Sequence, residues 1–208
     1  MTMSDVYVTV AHPATVEFEE KRSLFIGHAI PCTDEETALQ FVKEKKKEFA
    51  DATHNVWAYY MKGGVLARYS DDGEPQGTAG MPTLDAVRKS GACDVCVVVT
   101  RYFGGILLGA AGLVRAYSKA AAMAIEAAGI VTYREYTECT VTCDYSLYDK
   151  LLYDIGRRTV ITDDTEFGSN ITLRLAVLSE EYAAFEKALY AMTNGKTVPE
   201  KKGTRLDV

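Results

Sequence analysis

Between Val95 and Ala128 the sequence runs from an apolar strand through a glycine-rich loop into an alanine-rich helix. The strand at Val95–Thr100 is continuous in β-branched residues, which is typical of a buried strand. The helix is predicted from Ala110 to Ala128, and Gly129 ends it because glycine readily adopts the left-handed conformation found at helix C-termini. So many alanines indicate close packing of this helix against a sheet.

The segments before this block predict a helix and a hairpin. Thr33-Asp34-Glu35-Glu36 is a capping box, in which the Thr and Glu side chains satisfy free N–H groups of a helix that runs to about Ala50. Strands at Val56–Met61 and Val65–Tyr69 are joined by Lys62-Gly63-Gly64, where glycine permits the positive φ of a tight turn.

The pattern of elements restarts after Gly129. A strand at Thr137–Cys143 leads into a helix that Asp144 caps, and a hairpin crosses Gly168 before Ser179 caps the last helix. The tail has room for one short strand. The resulting β-α-β-β-α-β order suits a ferredoxin-like, split-βαβ module.

The length of 208 residues suits one to two domains. We predict two α+β domains, at residues 1–130 and 131–208, with a boundary near Gly129–Val131. The N-terminus carries neither a basic region nor an apolar core, so we expect a cytoplasmic protein. No apolar run approaches the roughly 18 residues of a membrane span.

Charge and cysteine usage narrow the classes of function. The 23 basic and 29 acidic side chains give a net charge of −6, so any contact with nucleic acid must use a local patch. Five cysteines, an odd number, argue against a disulfide framework in a cytosolic chain. We expect structural thiols rather than a metal or redox site.

The first glycine-rich loop, Ser70–Gly80, places three carboxylates close together in sequence. Asp71, Asp72 and Glu74 repel one another unless they are solvated, hydrogen-bonded or bound to a cation, which makes them candidate Mg²⁺ ligands. The alternative is a plain turn, since Asp followed by Gly is a good turn sequence. Thr78 lies between two glycines before a helix begins, an arrangement that can form an anion-binding nest.

The second glycine-rich loop, Arg101–Gly112, follows a strand and opens a helix, the setting in which backbone N–H groups and a helix dipole hold phosphate. Neither a Walker A loop nor a dinucleotide fingerprint is present. The alternative is that the glycines only form a tight turn while the arginines pair with carboxylates of the first loop, which would tie the loops into one site. The candidate anion-binding residues are Arg101, Gly104, Gly105, Arg115 and Thr78.

His54 immediately precedes a strand that should lie near the first loop. An imidazole with a pKa of about 6.5 suits proton transfer, so His54, Asp71, Asp72 and Glu74 are the candidate catalytic residues. The alternative for His54 is a structural hydrogen bond. No nucleophile with a recognisable setting is visible.

Several motifs of the predicted first domain occur together in a known protein family. They are Thr53-His54-Asn55, Trp57-Ala58-Tyr59, the stretches Ser70–Pro82 and Val97–Gly109, and Gly112-Leu113-Val114-Arg115-Ala116-Tyr117. Together they resemble the YigZ/IMPACT family, and the remainder resembles the small C-terminal domain of bacterial members. The resemblance implies a first domain like domain IV of elongation factor G and a second like that factor's ferredoxin-like domain V. The usual Cys after His-Asn is Val56 here, which argues against a cysteine nucleophile.

The resemblance also implies a role in translation control. We expect a binding protein rather than an enzyme, one that contacts RNA, the ribosome or a protein partner in translation control through the anion site, and we expect no cofactor. The alternative is a metal-assisted hydrolase of a phosphorylated or nucleotide-like molecule, in which the three carboxylates hold Mg²⁺ and His54 acts as base. A third hypothesis is a pure protein-interaction module. Neither membrane contact nor DNA specificity is expected.

Overall fold

The computed structural model describes residues 6–61 and 66–208. Contacts between residues divide the described chain into two units, one formed by Tyr7–Thr132 and the other by Tyr133–Val208 together with Val6. The α+β class is confirmed, because each unit packs helices against an antiparallel sheet. Among the described residues, none of the helices has the length and hydropathy that a bilayer crossing requires.

The first unit is built on an antiparallel sheet with helices on both faces. Its sheet has the order β2-β3-β6-β4-β5. Helices α2 and α3 cover one face and α1 packs on the other. The elements are β1 (Tyr7–Val10), β2 (Ala14–Glu20), β3 (Ser23–Pro31), α1 (Glu35–Glu48), β4 (His54–Tyr60), β5 (Ala67–Ser70), α2 (Gly80–Lys89), β6 (Val95–Tyr102) and α3 (Ala110–Ala127).

Strand β6 is the buried strand that the sequence predicts. Val97 and Val99 face the core beneath α2 and α3, whereas Cys96 and Val98 face the core beneath α1. Because successive side chains of a strand point to opposite faces, a sheet covered on both sides needs an uninterrupted apolar run here. The block from the apolar strand to the alanine-rich helix is therefore a central strand and the helix that covers it.

The close packing predicted from the alanines of α3 is confirmed at β3. Gly27 lies against the helix so tightly that a Cβ there would fall 2.6 Å from the carbonyl oxygen of Ala120. On the helix side, Ala120 and Ala124 are fully buried. A small residue on each side of this contact lets the helix backbone approach the sheet.

Two predicted caps differ from the structure. The N-cap of α1 is Asp34 rather than Thr33, since the Asp34 carboxylate accepts hydrogen bonds from the backbone N–H of Thr37 at 2.7 Å and from its hydroxyl at 2.9 Å. A charged acceptor makes a stronger cap than a hydroxyl. The N-cap position of the last helix is Glu181 rather than Ser179, and the Glu181 side chain makes no capping hydrogen bond.

The predicted hairpin strands are confirmed, because β4 and β5 pair antiparallel with Trp57 opposite Ser70. The predicted turn at Lys62-Gly63-Gly64 lies outside the described residues.

The second unit has the predicted ferredoxin-like order. Its four antiparallel strands lie in the order β10-β7-β9-β8, and α4 and α5 pack on one face of the sheet. All five cysteines of the chain are free thiols, and Cys139 and Cys143 lie in the core of this unit. The elements are β7 (Ile130–Cys143), which begins in the first unit, α4 (Tyr145–Ile155), β8 (Val160–Phe167), β9 (Ile171–Leu178), α5 (Tyr182–Met192) and β10 (Glu200–Asp207).

Candidate functional site

The two glycine-rich loops of the first unit meet at a buried ion pair. The guanidinium of Arg101, at the end of β6, contacts the carboxylate of Glu74 from the first loop. The Arg101 residue is 5% exposed and Glu74 is 8% exposed. From α3, the hydroxyl of Tyr117 donates a 2.8 Å hydrogen bond to the same carboxylate oxygen. One carboxylate therefore joins both loops to the helix.

The surroundings of Arg101 enclose its guanidinium. It donates a 3.3 Å hydrogen bond to the hydroxyl of Ser23, and it lies 5.5 Å from the ring centre of Phe25 and 5.4 Å from that of Phe103. Burial and the neighbouring Glu74 carboxylate raise the pKa of Tyr117, so this phenol stays protonated and donates. Arg101, a candidate anion ligand, is thus occupied by the chain's own carboxylate.

His54 also contacts the first loop. Its Nδ1 lies 2.7 Å from the carbonyl oxygen of Asp72, and because a carbonyl can only accept, this nitrogen carries the hydrogen. Its Nε2 lies 3.9 Å from the Glu74 carboxylate. Both ring nitrogens face the first loop, an arrangement that anchors the loop to the start of β4.

The two aspartates of the first loop have separate partners. The carboxylate of Asp71 accepts hydrogen bonds from the backbone N–H groups of Gly77, Ala79 and Gly80 at 2.9, 3.1 and 2.8 Å, so it holds the start of α2. The carboxylate of Asp72 accepts a 2.6 Å bond from the backbone N–H of Asn55 and contacts the ammonium of Lys46.

These contacts do not gather the candidate Mg²⁺ ligands around one position. Asp71, Asp72 and Glu74 each face different partners, and the described residues contain no group of three or more His, Cys, Asp or Glu side chains placed to hold a metal ion. The donor set that the hydrolase hypothesis requires does not fit a metal here.

The predicted nest around Thr78 is filled by the chain itself. Its backbone N–H groups bind Asp71, as described above, and the hydroxyl of Thr78 donates a 2.6 Å hydrogen bond to the carbonyl of Pro75. Thr78 is 8% exposed. The anion in this nest is therefore a side chain of the same loop.

Gly104 and Gly105 bring the second loop against the turn between β2 and β3. A Cβ on Gly104 would fall 1.8 Å from the carbonyl oxygen of Arg22, and Gly105 has a φ of +83°. The turn itself consists of Lys21 and Arg22, with φ of 48° and 65°. L-residues rarely adopt such angles, so two long cationic side chains stand at positions that favour Asn and Gly.

Arg115 does not take part in the buried ion pair and belongs instead to a group of exposed cations on α3 and on the turn between β2 and β3. Lys21, Arg115 and Lys119 line one pocket. The ammonium of Lys119 stands 4.2 Å above the ring centre of Phe18. In the described part of the chain none of these cations has an ion-pair partner, nor has Arg22. We call Lys21, Arg22, Arg115 and Lys119 the basic surface.

Sequence reasoning found only Arg115 of the basic surface. The signals for the others were present but weak. Lys119 follows Arg115 by one helical turn, and Lys21-Arg22 is a basic pair between two strands. The structure also exposes apolar side chains of the second loop, with Phe103 at 44% and Leu107 at 81% exposure.

The fold and the joined loops define a two-domain α+β protein. Two known domain families match separate parts of its sequence. The Impact N-terminal domain matches residues 21–125, and a domain of unknown function, DUF1949, matches residues 141–196. The chain is 34% identical over 92% of its length to the IMPACT family member YvyE of Bacillus subtilis, covering 88% of that protein.

Other similar proteins carry the same family name. The chain is 32% identical to the IMPACT family member YigZ of Escherichia coli, over 89% of this chain and 92% of that one. It is 36% identical to Protein IMPACT of Rattus norvegicus, over 48% of this chain and 32% of that protein. A crystal structure described as that of a hypothetical protein matches with a TM-score of 0.60, 31% identity, and coverage of 95% and 97%. The chain belongs to the IMPACT family.

Proposed function

We propose that this chain is a non-catalytic binding protein of translation control, and that its basic surface contacts RNA. Membership of the IMPACT family supports the role in translation control. The contact with RNA is carried by one observation: three exposed cations without ion-pair partners in the described residues, Lys21, Arg115 and Lys119, line one pocket, in a chain of net charge −6. Arg22 adds a fourth cation beside Lys21 in the same turn. A local patch of this kind is what an acidic chain needs to attract phosphate.

The arrangement of the buried groups supports a binding role over catalysis. Arg101 and Tyr117 both donate hydrogen bonds to the Glu74 carboxylate, and His54 faces the same carboxylate. A catalytic group needs to reach the atoms of a substrate. These side chains instead join the two loops into a rigid support for the second loop and α3.

The second loop, which contributes Leu108 and Gly112 to the pocket of cations, also carries exposed apolar side chains. Phe103 and Leu107 are exposed on the segment that leads into α3. Aromatic side chains stack on the bases of single-stranded RNA, each contributing about 1–3 kcal/mol, while cations contact the phosphates. A surface with both features suits an unpaired segment of RNA.

Cosedimentation with ribosomes tests the proposal. At low salt the native chain is expected to pellet with ribosomes, and the Arg115→Ala/Lys119→Ala double variant is expected to stay in the supernatant. The matched control, Lys150→Ala/Arg157→Ala, removes two exposed cations from the second unit and should pellet like the native chain. Absence of the native chain from the pellet at low salt overturns the proposal.

A further inference from the structure

The pocket on the basic surface is lined mainly by cationic side chains among its charged residues. Its charged lining consists of Lys21, Arg115, Lys119 and a single carboxylate, Glu20. Three cations against one anion give the lining a net charge of +2 at neutral pH. Since the whole chain carries −6, this positive pocket opposes the overall charge of the protein.

The pocket is shaped by side chains that are fixed by the core. Leu108 and Ala116, which are buried, and Phe18 form its apolar part. The ring of Phe18 stacks on the ring of Phe25 with 5.4 Å between the ring centres. The ammonium of Lys119 lies 4.2 Å above the ring centre of Phe18, so this cation has a defined position over the pocket.

We infer that this pocket is a phosphate subsite. Its volume of about 230 Å³ is below the roughly 300–1,000 Å³ of pockets that enclose a whole small molecule. It therefore has room for one phosphate group with its hydration, while the rest of the molecule that bears the phosphate lies outside. Charge-assisted hydrogen bonds from a guanidinium and two ammonium groups are the contacts that a phosphate takes.

Two kinds of molecule present this chemistry: a phosphate of RNA and a free phosphorylated small molecule. The choice of RNA as carrier rests on the proposed function, whereas the phosphate chemistry of the pocket stands apart from it. Glu20 allows the inference to be tested in the opposite direction, because its carboxylate in the lining repels a bound anion. Its removal should strengthen binding, whereas the removal of Arg115 should weaken it.

Amide NMR of the full chain distinguishes these cases. Inorganic phosphate and uridine monophosphate are titrated first, and then a short oligouridylate. The amides of Gly112, Arg115 and Ala116 are expected to shift in all three titrations. Glu20→Gln is expected to tighten phosphate binding by about threefold and Arg115→Ala to weaken it by about as much, because the interaction of exposed charges is weakened by solvent. The control Arg157→Ala should bind phosphate like the native chain.

Each outcome decides one of the two proposals. Phosphate binding without binding of the oligouridylate supports the pocket and contradicts RNA as the partner. Binding of the oligouridylate with silent amides at residues 110–116 overturns the pocket while RNA contact stands. No response to phosphate, or equal responses of the Glu20→Gln and Arg115→Ala variants, also overturns the phosphate subsite.

Discussion

The guanidinium of Arg101 and the carboxylate of Glu74 form a buried ion pair that joins the two glycine-rich loops. The hydroxyl of Tyr117 completes the contact from α3. This pair supports the loop that leads into the basic surface, but neither member belongs to that surface. Arg101 is therefore a structural residue in this account, and Arg115 a binding residue.

Removal of Arg101 should cost stability rather than affinity. Arg101→Ala leaves the Glu74 carboxylate buried without its cation, and the loss of one member of a buried pair costs about 3–5 kcal/mol of unfolding free energy. Urea unfolding measures this loss. The exposed Arg88, which faces Asp85 at 3.8 Å, provides the control, and Arg88→Ala should cost less than about 1 kcal/mol. Equal costs for both variants would show that the ion pair is not a structural support.

Two adjacent glycines should respond differently to alanine. Gly104→Ala places a Cβ 1.8 Å from the carbonyl oxygen of Arg22, so the loop or the turn must move, at a cost of about 3 kcal/mol. A Cβ on Gly105 meets no atom within 4 Å, and Gly105→Ala carries only the strain of its positive φ, about 1–2 kcal/mol. Thermal unfolding compares the two. A smaller loss for Gly104→Ala than for Gly105→Ala contradicts the close approach of the loop to the turn.

Acid should destabilise the chain through His28. This side chain is 1% exposed beneath Phe49, and burial, with a smaller effect of Lys45, lowers its pKa to about 4 from the ordinary 6.5, despite the opposing charge of Glu48. The unfolded chain then binds the proton on His28 more tightly than the folded chain does. The contribution of neutral His28 to the unfolding free energy is therefore complete above pH 6.5 and is lost as the pH falls towards 4. The difference between the His28 pKa of the unfolded and the folded chain corresponds to about 3 kcal/mol of unfolding free energy.

Unfolding of the native chain and of the His28→Gln variant across this pH range isolates the effect. The native unfolding free energy should fall between pH 6.5 and 4 more steeply than that of the variant. Parallel curves for the two proteins would mean that His28 does not carry the pH dependence.

Asp71 should stabilise the start of α2. Its carboxylate accepts three backbone N–H bonds, so Asp71→Ala leaves three donors without a partner and should cost about 2 kcal/mol, as the loss of a helix cap does. Hydrogen exchange of the amides of Gly77, Ala79 and Gly80 should become faster. Addition of Mg²⁺ should leave the native stability unchanged. A rise in stability with Mg²⁺ would instead favour the hydrolase hypothesis.

Much of the fold followed from local patterns in the sequence. The buried strand β6 is a continuous apolar run and the helix at Ala110–Ala127 is an alanine-rich segment followed by Gly129, and their positions were predicted closely. The N-cap positions Asp34 and Glu181 were not predicted. Thr33 and Asp34 are adjacent and both suit an N-cap, while the Glu181 side chain makes no capping hydrogen bond, so no local pattern marks its position.

The site was harder to predict than the fold. The sequence placed arginines and carboxylates on two loops and left their pairing open. In the structure Arg101 pairs with Glu74, while the carboxylates of Asp71 and Asp72 accept backbone N–H groups elsewhere in the fold. Lys21 and Lys119 were missed because their closeness to Arg115 arises from the register of a hairpin turn against a helix, which no local pattern encodes.

The central claim is that cations of the basic surface contact RNA, and the salt dependence of affinity for a single-stranded oligoribonucleotide tests it most directly. Each phosphate contact contributes about 0.7 to the slope of log affinity against log salt. The Arg115→Ala/Lys119→Ala variant should therefore show a slope shallower than the native one by about 1.4, while Lys150→Ala/Arg157→Ala keeps the native slope. An unchanged slope in the first variant, or no binding by the native chain at low salt, contradicts the account.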